Sequence, residues 1–195
     1  MKSMKRTQQP LRHYHGAAKG LHWLMALLIA GLIPLGLYMH ELPLSPQKLQ
    51  LYSWHKWAGV TVFMLLLVRL ATRIAFPPPP LPSQISRLQQ QAAHAGHLAL
   101  YGLMLAIPLS GWLMSSAKGF QTVWFGLLPI PDLIGKDKAL GELLAEVHEL
   151  LNWTLVAVLA AHVGAALKHH WIDRDGVLAR MLPAHRPDIT REKTS

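Results

Sequence analysis

Three stretches of 18 residues or more contain no Asp, Glu, Lys or Arg: residues 20–40, 88–117 and 150–167. The first two reach or exceed the ~20 residues that a helix needs to cross a bilayer. The third, at 18 residues, sits near the lower limit. A fourth candidate is interrupted, because only residues 57–68 lie uncharged between Lys56 and Arg69. It extends from Trp54 to about Ala75, since Lys56, Arg69 and Arg73 lie near its ends and can snorkel. Trp54 and Trp57 at its start suit an interfacial aromatic belt. Helices of a soluble bundle would carry a polar face, and these spans carry almost none. Composition agrees: 51% of residues are hydrophobic and 15% charged, where soluble domains carry about 25% charged residues. So much apolar surface also excludes a disordered chain.

Basic residues set the topology. Lys2, Lys5, Arg6, Arg12 and Lys19 precede the first span, and Arg69, Arg73 and Arg87 flank the connection between the second and third. Lys168, Arg174, Arg180, Arg186, Arg191 and Lys193 follow the fourth. The opposite side holds only Lys48, Lys56, Lys118, Lys136 and Lys138. The positive-inside rule then places both termini in the cytoplasm of an up-down-up-down chain. The net charge of +9 reflects this topology; a nucleic-acid footprint would need a basic stripe on a soluble surface, so no nucleic-acid partner is expected. The first span is too long for a signal-peptide core, and no small-residue cleavage site follows Pro34–Tyr38, so it reads as retained.

The expected organisation is a cytoplasmic N-terminal segment over 1–16, a four-helix transmembrane domain over 17–171 and a basic cytoplasmic tail over 172–195. Within the domain the spans run at about 17–39, 54–75, 92–116 and 147–169. Pro77–Pro80 and Pro82 end the second helix with a stiff link. The outer connection over 117–146 is the longest, and Trp124, Phe125 and Pro129-Ile130-Pro131 suggest that it packs at the membrane interface.

The chain has no cysteine, which excludes disulfides, iron–sulfur clusters, thiolate zinc sites and covalently attached c-type haem. It has twelve histidines, and an ionisable residue within a membrane span is a functional candidate. His22 lies at the inner start of the first span, His55 at the outer start of the second, and His148 and His162 near the outer and inner ends of the fourth. Fourteen residues is nearly four turns, so His148 and His162 share a face about 21 Å apart along the axis. Depth pairs His148 with His55 on the outer side and His162 with His22 on the inner side. Two imidazoles from different helices, one on each face of a planar macrocycle, describe six-coordinate b-type haem in a bundle core. Gly59 and Gly164-Ala165-Ala166 leave room for such a ring. A zinc or proton pathway is the competing chemistry, but zinc transport uses carboxylates beside the histidines, and the spans hold no Asp or Glu between their ends.

Other polar residues have two roles open. His94 and His97 share a face of the third span and could meet a haem edge or a quinone headgroup, or sit in the interface. Arg69 and Arg73, at i and i+4, serve either as haem-propionate partners or as topology anchors. His169 and His170 read as interfacial, and His13, His15, His40 and His185 as surface residues.

The ordered set Leu21-His22-Trp23, Trp54-His55-Lys56, Val68-Arg69-Leu70 with Arg73 and the proline run, Ala93-His94-Ala95-Gly96-His97, Val147-His148-Glu149 and Ala161-His162 resembles the bacterial cytochrome b561 family over roughly residues 13–183. The resemblance implies an all-α, integral membrane four-helix up-down-up-down bundle in the bacterial inner membrane, holding two haems b. It implies that His22 and His162 ligate the inner haem iron and His55 and His148 the outer one. It further implies an oxidoreductase of superoxide oxidase type, moving electrons from periplasmic superoxide to ubiquinone, with His94 and His97 near the quinone end. The alternative within the same resemblance is a quinone-reactive cytochrome b subunit that exchanges electrons with a separate dehydrogenase or other redox partner protein. Steering superoxide on the outer side falls to Lys48, Lys56, Lys118, Lys136 and Lys138, which stand against six acids.

Overall fold

The computed structural model describes residues 13–82 and 85–182, so the expectations for residues 1–12 and for the tail from Pro183 onward lie outside the described residues. Four long helices dominate: α1 Gly16–Glu41, α2 Pro46–Ala75, α3 Arg87–Ala117 and α4 Lys138–Lys168. Their 26 to 31 residues correspond to about 39 to 46 Å, longer than the ~30 Å hydrocarbon core of a bilayer. All four are long and apolar enough to span a membrane.

Three helices begin outside their apolar spans because a polar cap nucleates them there. Ser45 accepts from the Lys48 amide, and Pro46 occupies the first turn, where its missing N–H costs nothing. Ser86 and Gln89 form a reciprocal capping box for α3. Asp137 accepts from the Leu140 amide and starts α4 nine residues before the apolar span expected at 147.

Between α3 and α4 the long connection contains a β-hairpin that hydropathy does not reveal. β1 Thr122–Trp124 pairs antiparallel with β2 Leu128–Ile130, with Trp124 opposite Leu128. Phe125 and Gly126 both take positive φ, 49° and 71°, and the Leu127 amide donates to the Trp124 carbonyl at 3.0 Å. The three-residue loop between Trp124 and Leu128 thus turns through left-handed backbone at Phe125 and Gly126. Indole bonds hold the hairpin against α2: Trp57 Nε1 donates to the Val123 carbonyl at 2.6 Å, and Trp124 Nε1 to the Trp57 carbonyl at 3.2 Å.

The helices alternate in direction. The starts of α1 and α3 lie level with the ends of α2 and α4, since His22, Arg69, His97 and His162 meet. At the opposite end Gly36, His55, Gly111 and His148 come together. Between these levels all four helices fill the centre with Met25, Ile29, Val62, Leu66, Leu100, Leu103 and Leu155. Outside that core the helices stay exposed, with only 6–17% of their most apolar windows buried within the chain. Leu27 and Ile74 are among the outward-facing side chains. A water-soluble fold would not leave such a surface uncovered, and lipid is the solvent that covers it. The protein is a four-helix transmembrane bundle.

Beyond α4 a π-helical turn over His169–Asp173 ends at Arg174 in the left-handed region. The chain then folds back over the bundle end. Trp23 Nε1 donates to the Met181 carbonyl at 3.0 Å, and Arg180 to the Pro80 carbonyl at 2.7 Å.

Candidate functional site

Each helix carries a polar or small residue at both levels, fourteen positions apart: His22 and Gly36, His55 and Arg69, His97 and Gly111, His148 and His162. Nearly four turns separate the members of each pair, so both face the bundle axis. The result is two layers of functional side chains on either side of the central apolar core.

In the layer nearest the chain termini, the His22 and His162 ring centroids lie 6.3 Å apart with an interplanar angle of 62°. His97 packs at 5.5 Å from His162. Arg69 reaches across from α2, donating to the Ala18 carbonyl at 3.0 Å and lying 3.3 Å from His22 Nδ1. Arg73, one turn on, stacks its guanidinium over the Tyr101 ring at 5.9 Å. His94 stays apart from this cluster: it is exposed, with Nδ1 2.7 Å from the Gln90 carbonyl of its own helix.

In the layer nearest the long connection, His55 and His148 stand 6.5 Å apart with planes 78° apart. His148 Nδ1 lies 3.0 Å from the Ile107 carbonyl and 2.9 Å from Ser110 Oγ. A carbonyl has no proton to give, so Nδ1 carries the imidazole proton and Nε2 keeps a bare lone pair. His55 Nδ1 is buried with no hydrogen-bond partner in the structure. Both rings press on glycine backbone. A Cβ at Gly36 would lie 3.3 Å from His55 Cε1, and one at Gly111 3.1 Å from His148 Cε1.

These distances have a direct chemical meaning. A first-row metal binds an imidazole nitrogen at about 2 Å, with that nitrogen about 1 Å from its ring centre, so two rings sharing one iron have centroids about 6 to 6.5 Å apart. The His22–His162 and His55–His148 pairs have the separation of two rings on opposite sides of one iron, whereas His97, at 5.5 Å from His162, stands too close for that opposed arrangement. The orphaned nitrogen of His55, the bare Nε2 lone pair of His148 and the absence of cysteine make the outer pair suitable for haem iron held by two neutral imidazoles.

Sequence reasoning did not find Ser110, Ile107, Gly36 or Gly111. Gly59 and Gly164, expected to make room beside the histidines, have open space where a Cβ would stand. The close glycines lie on the neighbouring helices, at the fourteen-residue interval from His22 and His97. That interval was the available signal. On the hairpin side, Lys56 Nζ donates to the Phe120 carbonyl at 3.0 Å, and a Cβ at Gly119 would lie 3.1 Å from the Lys136 methylenes. Lys56 and Lys136 thus meet one short segment after α3, whereas Lys48 caps carbonyls near Leu42 and Lys138 lies 3.9 Å from Glu142. At the other end His169, Asp173 and Asp175 cluster, with Lys168 Nζ already on Asp173 at 2.6 Å.

A membrane bundle with opposed histidines at two depths defines the class of intramembrane cytochromes b. The family model for prokaryotic cytochrome b561 matches residues 13–184, and the chain belongs to that family. It is therefore a multi-pass bacterial membrane protein of a haem b-binding electron-transfer family. It is 37% identical over 190 residues to cytochrome b561 homolog 2 of Escherichia coli strain K12, covering 92% of this chain and 95% of that protein. It is 29% identical over 171 residues to the probable superoxide oxidase CybB of Yersinia pestis, covering 86% and 94%. Cytochrome b561 homolog 1 of Escherichia coli strain K12 is also 29% identical, over 177 residues, covering 85% and 94%.

Proposed function

We propose that the protein holds two haems b, an inner one between His22 and His162 and an outer one between His55 and His148, and carries electrons across the bacterial inner membrane from periplasmic superoxide to ubiquinone. The distribution of Lys and Arg supports an orientation with both termini in the cytoplasm. The observation that carries this reading is the pair of ring separations, 6.3 and 6.5 Å, at two depths of one bundle. When bound, haem b supplies a one-electron ferric–ferrous couple.

The chain's own residues supply the rest. His22 and His162 would hold the inner haem and His55 and His148 the outer one, so that small reactants would find every histidine of the two pairs already engaged. The apolar core around Leu66 keeps water out between the layers. Arg69 and Arg73 place two guanidinium groups at the inner layer, suited to haem propionates. His97, beside His162, is placed to pass protons toward a quinone at the inner end, and His94 lies on the exposed face that would receive them. Lys56, with its ammonium on the Phe120 carbonyl, and Lys136, with its methylenes against Gly119, would contribute positive charge to a superoxide approach beside the outer layer, with Asp132 offsetting part of it at Lys56. The reaction balances as two superoxide anions oxidised to two molecules of oxygen, with one ubiquinone taking two electrons and two protons to become ubiquinol.

The test is ubiquinone reduction by the purified protein in liposomes supplied with enzymatically generated superoxide. One ubiquinol per two superoxide consumed supports the proposal. Full haem loading with no superoxide-driven reduction would contradict the superoxide step and assign the chain to docking with a separate dehydrogenase.

A further inference from the structure

We propose that Ser110 is a positioning residue for the outer redox centre, fixing the tautomer of His148 and lowering the reduction potential of the iron it holds. The inference rests on His148 being an iron ligand, as proposed above.

Three contacts close a triangle. His148 Nδ1 lies 3.0 Å from the Ile107 carbonyl and 2.9 Å from Ser110 Oγ, and Ser110 Oγ lies 2.8 Å from that same carbonyl. The protons in it are determined. The carbonyl can only accept, so the single hydroxyl proton of Ser110 goes to Ile107, and a lone pair of Oγ is left facing the imidazole. The Nδ1–H of His148 is then shared between two acceptors, and Nε2 has no proton.

A serine inside a membrane helix ordinarily satisfies itself on a carbonyl of the preceding turn, and Ser110 does so through Ile107. That bond leaves its Oγ lone pairs free for His148. Ser110 is also buried, at 6% exposure, so no water competes for them. Gly111, the next residue, lets the ring lie against α3, where a Cβ would stand 3.1 Å from Cε1. The other three proposed ligands have no acceptor at Nδ1 among the described residues: His55 Nδ1 has no partner, His22 Nδ1 faces the Arg69 guanidinium, and the His162 ring makes no hydrogen bond.

Acceptors on the distal N–H of an axial histidine pull the proton away from the ring. The ring becomes a stronger donor, and ferric iron gains more than ferrous iron. The contact thereby shifts the outer centre in the more reducing direction, the sense that favours transfer from the outer layer to the inner one.

The experiment is a spectroscopic redox titration of the full-length haem-loaded protein in detergent, on wild type, Ser110→Ala and Ser110→Thr, with a haem count for each. The outer couple is identified as the one missing in His148→Ala. Ser110→Ala is expected to keep both haems, since Ile107 still holds Nδ1. Its outer midpoint should rise by about a threefold change in the ferrous-to-ferric ratio, or ~28 mV for one electron. Ser110→Thr, which keeps the hydroxyl, should titrate as wild type. Unchanged midpoints in Ser110→Ala with both haems present would overturn the inference and leave the ligand assignment standing. Loss of a haem in both variants would also overturn it, since packing at residue 110 would then matter and the hydroxyl would not. If His148→Ala keeps two haems, the ligand assignment itself fails.

Discussion

His22 and His162 come from the first and last membrane helices, 140 positions apart in the chain, yet their rings stand 6.3 Å apart in one layer. His55 and His148 repeat the arrangement at 6.5 Å near the other end of the bundle. Because α4 contributes one histidine to each layer, a single helix links the two proposed centres. His148→Ala should therefore lose one haem and keep the other, read by a pyridine haemochrome assay. His162→Ala should do the converse, and the two variants should leave different residual spectra.

Glycine substitutions separate space from conformation. Alanine is the better helix former by about 0.5–1 kcal/mol, and Gly59 has open space for a methyl group. Gly59→Ala should hold or slightly raise the thermal midpoint with full haem. At Gly111 the added methyl meets the His148 ring, so Gly111→Ala should perturb the outer haem alone, and Gly111→Val should displace it. Haem content and thermal unfolding, measured together, check both.

Arg69 is the nearest fixed cation to His22. A positive charge beside an iron centre favours the ferrous state, whose net charge is one unit lower. Arg69→Gln should lower the midpoint of the inner haem, Arg69→Lys should restore much of it, and the outer haem should barely move. Equal shifts at both haems in a redox titration would contradict the placement of Arg69 at the inner layer.

Leu66, 1% exposed, sits at the centre of the apolar layer that separates the two sites. Lipid is as apolar as leucine, so its truncation costs packing contacts more than transfer energy. Leu66→Ala should destabilise the bundle by about 2 kcal/mol. Chemical denaturation in detergent measures this. Both haems should remain bound under native conditions.

Much of the architecture is legible in the sequence because a bilayer admits few solutions: charge-free runs of sufficient length must be helices. The histidine layers are legible as well, since the fourteen-residue interval in α4 and the depths of His22 and His55 follow from helical rise alone. The helix starts at Pro46, Arg87 and Lys138 were signalled by Ser45, Ser86 and Asp137, although hydropathy placed them later. The hairpin at Thr122–Ile130 was hidden because its turn uses Phe125 at positive φ, where asparagine or glycine is the usual cue. Ser110 was hidden for another reason. Its importance comes from α4, which delivers His148 to it from 38 positions away, and no local pattern in α3 carries that information. His94 looked equivalent to His97, but the helix turns it outward onto Gln90.

The most direct measurement of the central claim is the number of haems b per chain, by pyridine haemochrome assay and quantitative amino-acid analysis on the purified membrane protein. Two haems per chain, falling to one in His148→Ala and to one in His22→Ala, is the predicted result. A single haem in the wild-type protein, or two haems surviving the loss of either histidine, would contradict it.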